Sequence, residues 1–229
     1  MGLAGEQPWF HTAVRLLDVR RQDRVLAVFV DLGQARDLAA LVGSRGQLLL
    51  VLRDREEGER LAAIGLPQVQ VIVRPLTGNE RFGRFDALLV APATGPLPPL
   101  GAFADLARDN LRPGGRFTID VPGADMVPAL RAAARDLGWD GERLQPLCGI
   151  ADDTLAECLR NAGLRNVNGL LGAHLLHLAA PADLAAMFAP ALGLDEAATR
   201  ELAHALVRQN GGTGAMDVLV HRTRLQGQR

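Results

Sequence analysis

The stretch 24–33, with the sequence RVLAVFVDLG, constrains the fold of this chain more than any other part of it. An apolar run from Val25 to Val30 stops at an acid and a glycine, and an amphipathic segment follows at 34–42. A buried strand that ends in a glycine turn and opens a helix is typical of the first βα unit of a nucleotide-binding sheet. Such turns usually carry three glycines, whereas this one has only Gly33.

The overall composition favours an ordinary globular protein. The chain has 229 residues, of which 48% are apolar and 22% charged, and this fits a single α/β domain. A net charge of −1 provides no field that attracts nucleic acid or anionic membranes. No apolar run approaches the roughly eighteen residues of a membrane span, and the first residues lack the pattern of a signal peptide. We therefore expect a cytoplasmic protein without nucleic-acid partners or a membrane span.

Strand and helix signals alternate along the first half of the chain. After a helix at 8–19, this alternation predicts a parallel sheet covered by helices on both faces. The predicted strands are 25–30, 47–52, 68–73, 85–91 and 116–121, and the helices between them are 34–41, 55–64 and 102–111.

The last third of the chain changes in style. Helices are predicted at 126–137, 152–162, 181–192 and 195–209, a β-rich run at 167–178, and an alternating strand at 216–222. The final residues, 226–229, read as a frayed tail. We expect one domain, 1–229, with a helical insertion at about 181–210 before the last strand.

Several segments of the chain resemble one protein family. RFDALLVAP, followed by FADLARDNLRPGGRFTIDVP, resembles the fourth strand, next helix, Pro-Gly-Gly turn and fifth strand of the class I S-adenosylmethionine-dependent methyltransferases. Downstream, DDTLAECLRNAGLRNVNGLLG and MDVLVHR are similar to the sixth-strand element and the seventh strand of that family. The resemblance covers almost the whole chain and is closest to the quinone-biosynthesis-like branch. It implies a Rossmann-like α/β fold, a seven-stranded, mostly parallel sheet with an antiparallel last strand and helices on both faces. Alternation alone also allows a dehydrogenase-type Rossmann domain.

The resemblance also implies where the cofactor, S-adenosylmethionine, would bind. The family's first acid falls on Ala27, and its glycines fall on Phe29, Asp31 and Gly33. The acid that would bind the ribose falls on Leu52. Each lost charge-assisted hydrogen bond weakens binding by roughly 1.5–3 kcal/mol. We therefore expect the cofactor to bind weakly or not at all.

Five residues remain as candidate cofactor contacts: Asp31, Gly33, Asp54, Thr77 and Ala91. Asp54 could replace the missing ribose acid if its turn shifts, and Thr77 occupies the region of the family's adenine-side acid. A helix cap is the alternative role for Asp31, and a plain strand-to-helix turn is the alternative for Gly33.

His174 is the weak candidate for a catalytic base, because we expect it to follow the sixth strand near the substrate. A structural role is the alternative. His174 and His177 would point in opposite directions on a strand, and no nearby carboxylate or cysteine completes a metal site. We therefore expect no metal.

Two classes of function remain. The loss of cofactor residues favours a pseudo-methyltransferase that acts as a partner or scaffold subunit, binding another protein or further copies of itself. The family as a whole favours an active methyltransferase on a small, rather apolar molecule, for which the proline-rich loop 94–100 offers an apolar surface.

Overall fold

The computed structural model describes residues 8–63, 65–94, 96–139 and 141–229. The helices in these ranges are α1 (Pro8–Leu16), α2 (Leu32–Val42), α3 (Arg55–Ala62), α4 (Leu100–Asn110), α5 (Pro128–Asp136), α6 (Asp152–Asn161), α7 (Pro181–Leu192) and α8 (Glu196–Asn210). The strands are β1 (Arg24–Val28), β2 (Gln47–Leu52), β3 (Val69–Val73), β4 (Phe85–Val90), β5 (Leu111–Pro122), β6 (Arg165–Leu178) and β7 (Met216–Gln228).

The strands form one seven-stranded sheet in the order β3-β2-β1-β4-β5-β7-β6. The first five strands are parallel, and β7 lies antiparallel between β5 and β6. The predicted fold class is therefore confirmed. Because β2 and β4 flank β1 on opposite sides, the strand order reverses at β1, and a crevice opens there at the carboxyl ends of the strands.

The apolar run of β1 faces two cores at once. Val25 and Ala27 pack with α1 and α2 on one face of the sheet. Leu26 and Val28 pack with α4 and α6 on the other face. A strand buried on both faces has no polar alternation, which explains why the sequence pattern is so clear here. A third core lies among α5, α7, α8 and the ends of β6 and β7.

The end of β1 differs from the prediction. The strand stops at Val28, two residues earlier than expected, because Phe29 has a φ of 57°, outside the range of extended backbone. Asp31 then caps α2 by accepting a hydrogen bond from the Gln34 amide at 2.8 Å, and the Gln34 side chain accepts one from the Asp31 amide. This capping box starts the helix at Leu32, before the predicted start.

Other boundaries also move. Helix α1 ends at Leu16 instead of residue 19, and the predicted end of the second crossover helix, residue 64, lies outside the described residues. Strand β5 begins before the Pro-Gly-Gly turn, with a shift of register against β4. Strand β6 includes His174, so the expectation that this residue follows the strand was wrong.

The prediction of a frayed tail was also wrong. Strand β7 continues to Gln228, because residues 222–228 pair with β5. Beyond the strand, the Arg229 amide donates to the Gly115 carbonyl at 3.0 Å, and the Gly114 amide donates to the Arg229 carbonyl at 2.9 Å. These bonds fasten the tail to the Pro-Gly-Gly turn near the start of β5.

Helices α7 and α8 fill the connection between β6 and β7 and pack against each other. None of the helices within the described ranges combines the length and the apolar character that crossing a lipid bilayer requires.

Candidate functional site

The segments that follow β1, β2 and β4 meet around a cavity of about 220 Å³ at the position where the strand order reverses. Its lining residues are Phe29, Val30, Asp31, Arg53, Asp54, Glu57, Pro92, Ala93 and Thr94. The structure thus brings together two of the predicted cofactor contacts, Asp31 and Asp54.

Phe29 is the most unusual residue of this cavity. Its φ of 57° lies in the left-handed region, which costs an L-residue about 1–2 kcal/mol and glycine nothing. The Arg53 guanidinium lies 3.7 Å from the centre of the Phe29 ring, within cation–π range. The backbone therefore keeps a glycine-like conformation, while the side chain at this position fills space.

Arg53 was missed by the sequence reasoning, although it directly follows β2. Burial lowers the pKa of its guanidinium to about 10. Its Nη2 atom is buried and has no hydrogen-bond partner within the described part of the chain. Glu57 lines the same cavity, and burial, followed by the charge of Asp31, raises the pKa of its carboxyl group. The cavity therefore holds ionisable groups that burial drives toward their neutral forms.

The two predicted acids both cap helices. Asp31 caps α2, and Asp54 caps α3 by accepting a hydrogen bond from the Glu57 amide at 2.7 Å. Each carboxylate therefore serves a helix N-terminus and borders the cavity at the same time. The two roles weighed for Asp31 are compatible in this geometry.

The other predicted contacts lie outside the lining of this cavity. Thr77 donates from its amide and its hydroxyl to the Glu80 carboxylate, at 2.7 and 2.8 Å. Burial would raise the pKa of Glu80, but these hydrogen bonds and that of Gly78 outweigh it and lower the pKa. Gly33 is exposed in the first turn of α2, and Ala91 is buried just beyond β4.

His174 lies on β6 and contacts Arg224, with 3.1 Å between its Nε2 and the arginine Nη2. Burial, and then the charge of Arg224, lower the pKa of His174. His177 points to the opposite face, where its Nδ1 lies 2.6 Å from Asp217 Oδ1 in an exposed pair. Within the described ranges, no group of three or more His, Cys, Asp or Glu side chains is arranged to hold a metal ion.

A buried charge network lies behind the cavity. The Asp120 carboxylate accepts hydrogen bonds from Arg222 Nε at 2.6 Å and from Arg224 Nε and Nη2 at 2.9 and 2.7 Å. Arg222 also donates to the carbonyls of Pro92, at 2.8 Å, and Ala93, at 3.0 Å. Burial lowers the pKa of Arg222, while Asp120 opposes that shift. The network thus fixes the loop after β4 that lines the cavity.

Sequence reasoning missed this network, although a signal existed. Arg222 and Arg224 are two residues apart, so on a strand they share one face. Asp120 lies between the apolar residues Ile119 and Val121. A charge in a strand buried on both faces requires a partner of opposite charge, and the neighbouring strand supplies it.

A second cavity, of about 410 Å³, lies beside the proline-rich loop. Its lining is Pro96, Leu97, Pro98, Leu100, Gln145, Cys148, Gly149, Ile150, Ala151 and Thr154. The lining residues from the loop are all apolar, in agreement with the surface expected for 94–100.

Comparison with known proteins finds similar folds among solved structures. No protein-family model and no curated protein matches the chain. Among solved structures, the YcgJ protein from Bacillus subtilis is similar with a TM-score of 0.70 and 15% identity, over 97% of this chain and 98% of the other. A putative methyltransferase from Bacillus halodurans reaches 0.66 with 13% identity, over 96% of this chain and 97% of the other.

The chain has the class I methyltransferase fold. A third structure with this fold, fibrillarin from Aeropyrum pernix, contains natively bound S-adenosylmethionine. Its TM-score is 0.51 with 13% identity, over 95% of this chain and 73% of the other. At these identities, the likeness shows the class I methyltransferase fold alone, and the quinone-biosynthesis-like branch stays a prediction.

Proposed function

We propose that this chain is a cytoplasmic pseudo-methyltransferase, a protein of methyltransferase fold that serves as a partner or scaffold subunit. In this proposal, its own side chains fill the ancestral S-adenosylmethionine site. The observation that carries it is the stack of Arg53 on Phe29 inside the cavity formed by the segments that follow β1, β2 and β4.

The residues of this cavity do not fit the cofactor. A phenyl ring stands where the family needs glycine for close approach of the backbone to the ligand. The Asp31 carboxylate would repel the carboxylate of the methionine moiety. The volume of about 220 Å³ also falls below the roughly 300–1,000 Å³ of small-molecule sites.

The expected affinity follows from the missing acceptors. Ala27 and Leu52 cannot accept the hydrogen bonds that the family's acids accept. Two such bonds at about 1.5 kcal/mol each correspond to roughly a hundredfold loss of affinity. A micromolar ligand would then bind no more tightly than about 0.1 mM, before the steric cost of Phe29 is included.

Calorimetric titration with S-adenosylmethionine and S-adenosylhomocysteine tests the proposal. We expect no binding, or binding weaker than about 0.1 mM, to the wild-type protein. The double variant Phe29→Gly/Arg53→Ala should bind more tightly because it empties the cavity. Arg74→Ala is the matched control, since Arg74 stands over Phe82 in a comparable pair, 6.0 Å from the ring centre, outside the cavity lining.

A low-micromolar dissociation constant for the wild-type protein would overturn the proposal. In that case Asp54→Ala identifies the substitute ribose acid: loss of binding in this variant assigns the role to Asp54. Retention of binding assigns it elsewhere.

The second candidate is an active methyltransferase on a small, rather apolar molecule. The cavity of about 410 Å³ beside the proline-rich loop favours it, because its volume lies within the range of small-molecule sites. Formation of S-adenosylhomocysteine with a panel of small apolar hydroxyl compounds, above the rate without protein, would support this candidate over the first.

A further inference from the structure

Strand β6 forms one edge of the sheet, and β7 is its only strand partner within the described residues. It is 14 residues long, from Arg165 to Leu178. The outward-facing backbone N–H and C=O groups of such an edge can pair with a further extended strand. The edge therefore has the hydrogen-bonding capacity to extend the sheet.

The two edge strands of the sheet differ in how well they are protected against pairing with another chain. Natural edge strands are protected by charges, proline, bulges or short length. Residues 166–178 contain no Asp, Glu, Lys, Arg or Pro, and the shift of register in β6 is confined to its start, 165–168. At the opposite edge, β3 has only five residues and is bracketed by Pro67 and Pro75. Only the β3 edge therefore carries the usual protection.

An exposed apolar pair lies on the same strand. Residues 216–221 of β7 extend beyond the pairing with β5 and form a two-stranded ribbon with β6. One face of the ribbon packs into the core that includes α7 and α8. On the other face, Leu175, 52% exposed, lies directly opposite Leu219, 43% exposed. Within the described residues, four large apolar side chains are at least 40% exposed to solvent, and Leu175 and Leu219 are two of these four.

We propose that two copies of this chain pair antiparallel along β6, about a two-fold axis near Leu175. A two-fold axis makes the contact closed and self-complementary. It brings the Leu175–Leu219 pairs of both copies together on the uncovered face. Because 166–178 carries no formal charge apart from its histidines, and each copy has a net charge of only −1, the two copies meet with little repulsion.

The inference does not depend on whether the cofactor site is intact, since an active enzyme could pair in the same way. It names a second copy as the partner of the edge. Its failure would therefore leave the calorimetric test of the cofactor site unaffected.

Sedimentation velocity of the full chain at about 1–200 µM tests the pairing, and we expect a reversible dimer in the micromolar range. Leu175→Lys should shift the protein to monomer, because the new ammonium groups of both copies would meet at the axis. Leu219→Lys should weaken the dimer as well and serves if the first variant fails to fold. Circular dichroism checks the fold of each variant.

Leu41→Lys is the matched control, because Leu41 is 42% exposed on α2, away from the edge. It should leave the dimer intact. A wild-type protein that is monomeric at every concentration would overturn the proposal, and so would a dimer that survives in folded Leu175→Lys. Loss of the dimer in Val73→Lys alone would assign the contact to the β3 edge and overturn it too.

Discussion

Arg222 donates from Nε to Asp120 Oδ1 across 2.6 Å, and both side chains are almost completely excluded from solvent, with exposures of 0% and 1%. The guanidinium of Arg224 shares the same carboxylate. Asp120 is thus the counter-charge of two buried cations. Removing one partner of a buried ion pair leaves the other charge uncompensated, which is far more costly than losing a surface pair.

Asp120→Asn should therefore lower the free energy of unfolding by about 3–5 kcal/mol, because two buried guanidinium groups lose their counter-charge. Urea denaturation monitored by circular dichroism measures this change. Glu59→Gln is the control, since it breaks the exposed Arg55–Glu59 pair and should change stability by less than about 0.5 kcal/mol. Equal losses in the two variants would contradict the role assigned to the buried charge.

Substitutions at Phe29 should reveal the strain of its backbone. Both Phe29→Ala and Phe29→Gly lose the ring contact with Arg53, but only glycine adopts a positive φ freely. The glycine variant should be more stable than the alanine variant by about 1 kcal/mol in denaturant unfolding. Val30 lacks a positive φ, so the order should reverse there. Val30→Gly should be less stable than Val30→Ala by about 0.5–1 kcal/mol. The same order at both positions would rule out strain.

The lowered pKa of His174 predicts a pH dependence of stability. Its pKa in the folded protein lies below the ordinary value of 6.5, so below about pH 6.5 the unfolded chain binds more protons than the folded one. This contribution to stability is fully present above the unfolded pKa and decreases as the pH falls through it. Relative to His174→Gln, the wild-type protein should therefore lose stability between about pH 7 and 5.

The exposed His204 provides the comparison for that experiment. His204→Gln makes the same substitution at an exposed position and controls for the change of residue type. If the stability difference between wild type and His174→Gln stayed constant with pH, the burial of His174 would not control its titration.

Gly149 should not tolerate a side chain. A Cβ atom at this position would lie 1.7 Å from the Pro122 carbonyl oxygen, which also accepts the hydrogen bond of the Ile150 amide. Gly149→Ala should lower the free energy of unfolding by about 2 kcal/mol or more, measured by thermal or urea denaturation. Gly212→Ala, where no atom lies within 4 Å of the added carbon, should be close to neutral. If Gly149→Ala left the free energy of unfolding unchanged, the backbone at Pro122 would be able to move away from the added methyl group without cost.

The sequence predicted the elements whose signal is local. The five parallel strands and the antiparallel last strand follow from apolar runs and from motifs of the family resemblance. The capping role weighed for Asp31 also depended only on its neighbours, and Gln34 completes the box. Such features need no knowledge of distant parts of the chain.

Other features depend on pairs that are distant in sequence. From the sequence alone, the last residues of β7 resemble a polar tail. In the structure, Arg224 of this strand pairs with Asp120, which lies 104 positions away in the sequence. Phe29 could not be predicted at a positive φ, because residues other than glycine rarely adopt it. The stack with Arg53 required the approach of β1 and β2 in the folded sheet.

The position of β7 between β5 and β6 has a consequence for folding during synthesis. Strands β1 to β5 can pair with one another as soon as they leave the ribosome. Strand β6 is made before β7 but has no place in the sheet until residues 216–228 insert beside β5. During that interval its uncharged, leucine-rich stretch is exposed in the nascent chain, which makes this stage of translation the one most open to misassembly and to capture by chaperones.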